Sequence, residues 1–132
     1  MNLNRYKSIL ENINRVALTT HENPDGDGLG CAAAMYHFYN DKNIDCKIIL
    51  PTSLPQEYEF LEKGSMFHLY SSETMDSWLK DVDLIIIFDV GDSRRLKDIR
   101  KAIQINNLSS LNIDHHALVD DSVFTYNLVN TH

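Results

Sequence analysis

Val16-Ala17-Leu18-Thr19-Thr20-His21-Glu22-Asn23-Pro24-Asp25-Gly26-Asp27-Gly28-Leu29-Gly30 passes from an apolar run through a polar turn into a long helical pattern. The run from Val16 to Thr20 reads as a strand, and the pattern from Leu29 to about Tyr39 reads as a helix. One imidazole and two carboxylates therefore crowd a strand-to-helix turn. In an open α/β sheet, the crevice at the carboxyl ends of the strands is where ligands bind. Two later stretches repeat the arrangement. Asp89 follows Leu84-Ile85-Ile86-Ile87-Phe88, and Asp114-His115-His116 follow Leu111-Asn112-Ile113.

Outward from the first turn, residues 3–13 carry Leu3, Tyr6, Ile9, Leu10 and Ile13 at helical spacing. Small residues from Gly30 to Ala34 suit a helix whose first turns pack closely on a sheet. Strands are expected at 46–50, 66–70, 83–88, 108–113 and 124–129. Helices are expected at 55–61, with proline near its start, at 72–79, capped by Ser71 or Ser72, and at 93–105. The stretch 83–88 is nearly all apolar and branched, as in a central strand covered on both faces. Strands alternating with helices in this order predict an α/β fold, a mostly parallel Rossmann-like sheet with helices on both faces. The chain stops at His132 just after a strand, so a truncated domain is expected.

A chain of 132 residues is one domain at most, and 43% apolar with 23% charged residues is the balance of a globular protein. No apolar run approaches a membrane span, and the N-terminus lacks the apolar core of a signal peptide. Cys31 and Cys46 give no metal spacing and no disulfide framework. A cytoplasmic protein with no membrane partner is expected, and a homodimer stays open. The net charge of −7 argues against a long nucleic-acid track. Two divalent cations, carrying +4 between them, would bring it to −3 at the site itself. The charge fits a short phosphorylated substrate met at a metal centre.

Each stretch has a plain structural reading. Asn-Pro-Asp-Gly is a strong β-turn signal, and Asp27 suits a helix cap. His21 at a strand end needs only a hydrogen bond. Asp89 suits the cap of the next helix, although Asp92 or Ser93 stands closer to that task. Asp114-His115-His116 suits a polar turn with solvated imidazoles. In the functional reading, Asp25 and Asp27 reach two adjacent cations from a rigid turn, with Gly26 and Gly28 allowing close approach. His115 ligates a metal while Asp114 or a backbone carbonyl holds its second nitrogen. The coincidence favours function, since three separate turns place oxygen or imidazole ligands at one rim. His21, Asp25, Asp27, Asp89 and His115 would hold two cations with one carboxylate bridging. Oxygen and imidazole donors without thiolate favour Mn²⁺, with Mg²⁺ less suited to the histidines.

His21-x-x-Pro24-Asp25-x-Asp27, a strand ending in Asp89, and Ile113-Asp114-His115-His116 resemble the first three motifs of the DHH phosphoesterases, in the RecJ-like superfamily. The resemblance spans residues 21–116. It implies one manganese on His21, Asp25 and Asp89, and another on Asp27, Asp89 and His115. Asp89 would be the bridge, and a hydroxide between the metals would attack phosphorus. It implies catalytic roles for His116, near the scissile phosphate, and for Asp114, in support of the metal-binding histidine.

Asn-Pro-Asp-Gly-Asp-Gly-Leu-Gly is most similar to the branch of nano-RNases and phosphoadenosine-phosphate phosphatases. That implies a short oligoribonucleotide, or the 3′-phosphate of adenosine bisphosphate, as substrate. Cys31 stands where serine is commoner and is expected to pack against the sheet. The family's fourth motif and carboxy-terminal substrate domain are not found. Asp120 and Asp121 come too early and read as a solvated loop. Residues 1–132 therefore resemble an incomplete N-terminal catalytic domain, with weak second-site binding and little or no turnover expected. Rival readings are a pyrophosphatase or polyphosphatase on the same scaffold, and a non-catalytic nucleotide- or metal-binding module. Met35, Tyr36, Phe38 and Trp78 are expected in core or rim; Arg94 and Arg95 begin a helix beside Asp89, where a solvated face is expected and contact with a phosphate is the alternative. His37, His68 and His132 have no partner apparent in sequence.

Overall fold

The alternation of apolar and turn segments resolves into six strands and four α-helices in a computed structural model that describes residues 3–116, 120 and 122–129. The order is α1 (Leu3–Glu11), β1 (Arg15–Thr19), α2 (Gly26–Asp41), β2 (Asp45–Leu50), β3 (Phe67–Leu69), α3 (Ser72–Leu79), β4 (Leu84–Phe88), α4 (Asp98–Ile105), β5 (Ser110–Asp114) and β6 (Tyr126–Val129). Short 3₁₀ turns occupy Gln56–Leu61 and Ser93–Leu96.

All five strand pairings are parallel, in the order β3-β2-β1-β4-β5-β6. The chain winds outward from β1 in one direction, then returns to β4 and winds in the other. The crevice beyond the ends of β1 and β4 is thus the topological switch point, where such sheets take ligands. Alternation along the strands feeds two cores. Val16, Leu18, Leu84, Ile86 and Phe88 pack towards α1 and α2, while Ala17, Ile85 and Ile87 pack towards α3 and α4. Every residue of β4 is buried, as expected of a strand covered on both faces.

Several expected boundaries move. Helix α2 starts at Gly26, three residues before the first apolar position, because the Asp25 side chain accepts from the N–H groups of Asp27 and Gly28. The cap is Asp25, not Asp27. Gly28 serves helix-to-sheet packing: a Cβ there would overlap Thr20 Oγ1, which is bound to the Phe88 carbonyl at 2.8 Å. The 55–61 helix is a short 3₁₀ helix over Gln56–Leu61, not an α-helix. The 93–105 helix is broken at Lys97, whose φ of 54° cannot continue it. Strand β6 begins at Tyr126, not Phe124. His132 and Asp121 lie outside the described residues.

Candidate metal centre

Asp89 is the residue around which the site is built. It follows fully buried β4, is 7% exposed, and has a φ of 64°. A non-glycine residue in the left-handed region costs free energy and persists where its surroundings over-determine it. Here its N–H donates to the Ile113 carbonyl at 3.0 Å, which extends the β4–β5 pairing and fixes the turn. The carboxylate faces two ways. Oδ2 lies 3.6 Å from His21 Nε2, and Oδ1 lies 2.9 Å from His115 Nε2.

On the first side, buried His21 extends from the end of β1, with Nε2 3.8 Å from Asp25 Oδ2. Asp25 serves both readings of its turn at once, since Oδ1 caps α2 while Oδ2 faces the imidazole. The other His21 nitrogen lies 2.6 Å from the Glu22 carbonyl. With Nδ1–H donating there, Nε2 is free to coordinate a cation. On the second side, His115 Nε2 also lies 3.2 Å from Asp27 Oδ2, on the first turn of α2. A carboxylate is well placed there, where the helix presents its positive end. The Asp89 hydrogen bond, followed by the charges of Asp89, Asp27 and Asp114, raises the His115 pKa above 6.5 against the opposing effect of desolvation.

Asp114 Oδ1 is bonded to His116 Nδ1 at 2.7 Å. The carboxylate at the end of β5 therefore supports the second histidine of the pair, where sequence reasoning assigned it to the first. Register decides this: Asp114 closes β5 with its side chain turned inward, and His116 folds back over it. Asp114 Oδ2 is buried without a hydrogen-bond partner among the described residues.

Two sets of ligand atoms gather within 4.8 Å of one another: His21, Asp25 and Asp89, and Asp89, Asp114, His115 and His116. Asp27 joins the second through His115. Among the described residues no lysine or arginine is ion-paired with Asp25, Asp27, Asp89 or Asp114; their side-chain ion-pair partners are imidazoles. Four clustered carboxylates, two of them buried, demand positive charge. Hard oxygen and imidazole donors fit a divalent cation such as Mn²⁺, and the orphaned Asp114 Oδ2 fits the same need.

A cavity of about 250 Å³ opens beside the second set, lined by Asp27, Cys31, Asp89, Asp114 and His115 among others. Cys31 is exposed and borders this cavity instead of packing on the sheet. It stands one helical turn after Asp27, a spacing visible in the sequence once α2 is known to start at Gly26. A larger groove, about 810 Å³, lies between α1 and α2 and is mainly apolar. It holds none of the cluster, so chemistry, not size, locates the site.

Arg95, expected on a solvated face, is exposed but touches the His21 loop. Its carbonyl accepts from Glu22 N–H at 2.9 Å, and its Nη2 lies 3.1 Å from His21 Nδ1. Arg94 is exposed, paired with Asp92 at 2.6 Å. Asp120 is not a solvated loop residue. It accepts from Ser93 Oγ and Ser122 N–H, both at 3.0 Å, and these bonds hold its pKa down to about 2. Trp78 packs between Arg15 and Lys47 and donates to Asp45. His37 stands edge-on to Tyr36, and burial lowers the His68 pKa. No helix among the described residues is long and apolar enough to cross a membrane.

Residues 15–132 match the DHH family, N-terminal domain. No curated protein matches the sequence. Among solved structures, an exopolyphosphatase-related protein from Bacteroides fragilis superposes with a TM-score of 0.87 at 20% identity, over 98% of this chain and 38% of that chain. The present chain thus spans well under half the length of that protein. A structure solved to explain sirtuin substrate affinity superposes with a TM-score of 0.55 at 8% identity, over 96% of this chain and 92% of that one. Both likenesses show the fold alone.

Proposed function

This chain belongs to the DHH family through its N-terminal domain, and from that premise we propose that it is the metal-binding part of a phosphoesterase. The observation that carries the reading is Asp89, one oxygen turned to His21 and the other to His115. In this reading His21, Asp25 and Asp89 would hold one cation, and Asp27, Asp89 and His115 would hold another. Mn²⁺ suits the donors best, with Mg²⁺ as the alternative. When bound, such a pair supplies Lewis-acid stabilisation of phosphoryl charge and a nucleophile at neutral pH.

The chain's own residues do the rest. The Glu22 carbonyl holds the His21 imidazole in orientation through Nδ1. Asp114 anchors His116 through Nδ1, leaving Nε2 as the atom that gives a proton to a departing oxygen. Asp114 acts through His116, as a positioning residue.

The substrate we infer is a short phosphorylated one, a very short oligoribonucleotide or the 3′-phosphate of an adenosine bisphosphate. The small cavity and the net charge of −7 support it over a long polyanion. A second reading, polyphosphate or pyrophosphate hydrolysis, is favoured by the likeness to the exopolyphosphatase-related protein of Bacteroides fragilis. The test is to incubate the whole protein with Mn²⁺ or Mg²⁺ and a dinucleotide, adenosine 3′,5′-bisphosphate, pyrophosphate or polyphosphate. Turnover of one of the first two supports the proposal, and turnover confined to the last two supports the second reading. Mn²⁺ binding with no turnover of any would point to a binding module.

A further inference from the structure

The turn Ser93–Leu96 carries a guanidinium for which the reading above has no task. Three basic neighbours meet carboxylates: Arg94 meets Asp92 at 2.6 Å, Lys97 meets Glu22 at 2.8 Å, and Arg100 meets Asp120 at 3.8 Å. Arg95 has no carboxylate within ion-pairing distance among the described residues, and its side-chain contact is His21 Nδ1 at 3.1 Å. That nitrogen already lies 2.6 Å from the Glu22 carbonyl.

For Nε2 to take a cation, the ring proton must sit on Nδ1, where it donates to that carbonyl. Arg95 Nη2 then faces another donor and makes no hydrogen bond to it. A guanidinium is always charged and has only donors, so its N–H groups are left to water or to an anionic ligand. The fold nevertheless holds it at this place. Glu22 N–H is bonded to the Arg95 carbonyl, and Glu22 Oε2 to Lys97 Nζ. Lys97 itself sits at a φ of 54°, a strained conformation that turns the chain back towards the His21 loop. The result is an exposed, unpaired cation fixed beside the imidazole of an acidic cluster.

We propose that Arg95 is a substrate-contacting residue, whose guanidinium binds non-bridging oxygens of the phosphoryl group presented to the centre. The proposal rests on the phosphoesterase reading for its substrate class. Planar N–H pairs match two oxygens of one phosphoryl group, and a tetrahedral anion beside His21 would satisfy Arg95 as the imidazole cannot. Because the anion group is shared by phosphodiesters, monoesters and pyrophosphate, Arg95 would raise affinity for all of them.

The test compares R95A and R95K with wild type in the whole protein. Three quantities are measured: Mn²⁺ affinity by electron paramagnetic resonance, inorganic phosphate affinity of the Mn²⁺-loaded protein by calorimetry, and KM against kcat on the substrate turned over. The expected result is unchanged Mn²⁺ affinity, phosphate binding weakened about 10- to 100-fold in R95A, partial rescue in R95K, and an increase mainly in KM. A fall in Mn²⁺ affinity without a separate loss of phosphate would make Arg95 a prop for His21 and overturn the proposal. So would phosphate binding in R95A equal to wild type. Arg95-dependent phosphate binding without turnover of any phosphoester would sink the phosphoesterase reading and leave the anion contact standing.

Discussion

At the scale of single residues, the two oxygens of Asp89 separate its task from that of its neighbours. D89N should remove the charge seen by both imidazoles, and Mn²⁺ affinity should fall at least about 100-fold on both sides, read by titration with Mn²⁺. Asp25 is instructive because its oxygens do different work. D25N keeps the cap, since asparagine caps as well as aspartate, and should weaken Mn²⁺ with little change in stability. D25A loses both and should cost about 1 kcal/mol as well, measured by denaturant unfolding. His115 gives a pH dependence. In the metal-free protein its raised pKa means that the stabilising Asp89 contact is fully present below about pH 6.5 and is lost as pH rises through the raised value. Metal binding has the opposite sign, because a cation needs the neutral ring. Mn²⁺ affinity should therefore climb from about pH 6 to about pH 8, more steeply in wild type than in H115Q.

At the scale of elements, the approach of α2 to β1 is set by a missing side chain. G28A should destabilise by about 1–3 kcal/mol, because Thr20 Oγ1 is held by the Phe88 carbonyl and cannot withdraw freely. G30A, two residues on, meets nothing and should stabilise the helix by about 0.5–1 kcal/mol. Thermal melts of the pair would show opposite signs. If both shifted alike, the contact would be doing something other than spacing the helix from the sheet. The break at Lys97 is the second element-scale device, since it lets the Ser93–Leu96 turn lie against the His21 loop while α4 packs on the sheet.

For the molecule as a whole, the cluster is a store of uncompensated negative charge in a chain of net charge −7. Cation binding to the folded state alone should raise stability by about 2.7 kcal/mol at a hundred times the dissociation constant. A melting temperature several degrees higher in Mn²⁺, reversed by a chelator and absent in D89N, is the expected observation. An equal increase in D89N would place the bound ion outside this centre.

Most of the class of fold was legible locally. Burial on both faces leaves its mark in Leu84-Ile85-Ile86-Ile87-Phe88, and a polar group just beyond such a run has to lie at the sheet's rim. The approximate elements, the parallel sheet and the candidates His21, Asp25, Asp27, Asp89, Asp114 and His115 were legible in that pattern, and His116 entered through the family resemblance. Which atom faces which did not follow. The strand order, the divided Asp89 carboxylate, Asp114 on His116, Arg95 against His21 and the exposure of Cys31 depend on register between strands far apart in the chain. Sequence alone set the residue types available at each turn, because hydrophobic periodicity is a local property. Tertiary structure alone set their pairing, because a carboxylate at the end of one strand has no partner until the next strand is laid beside it.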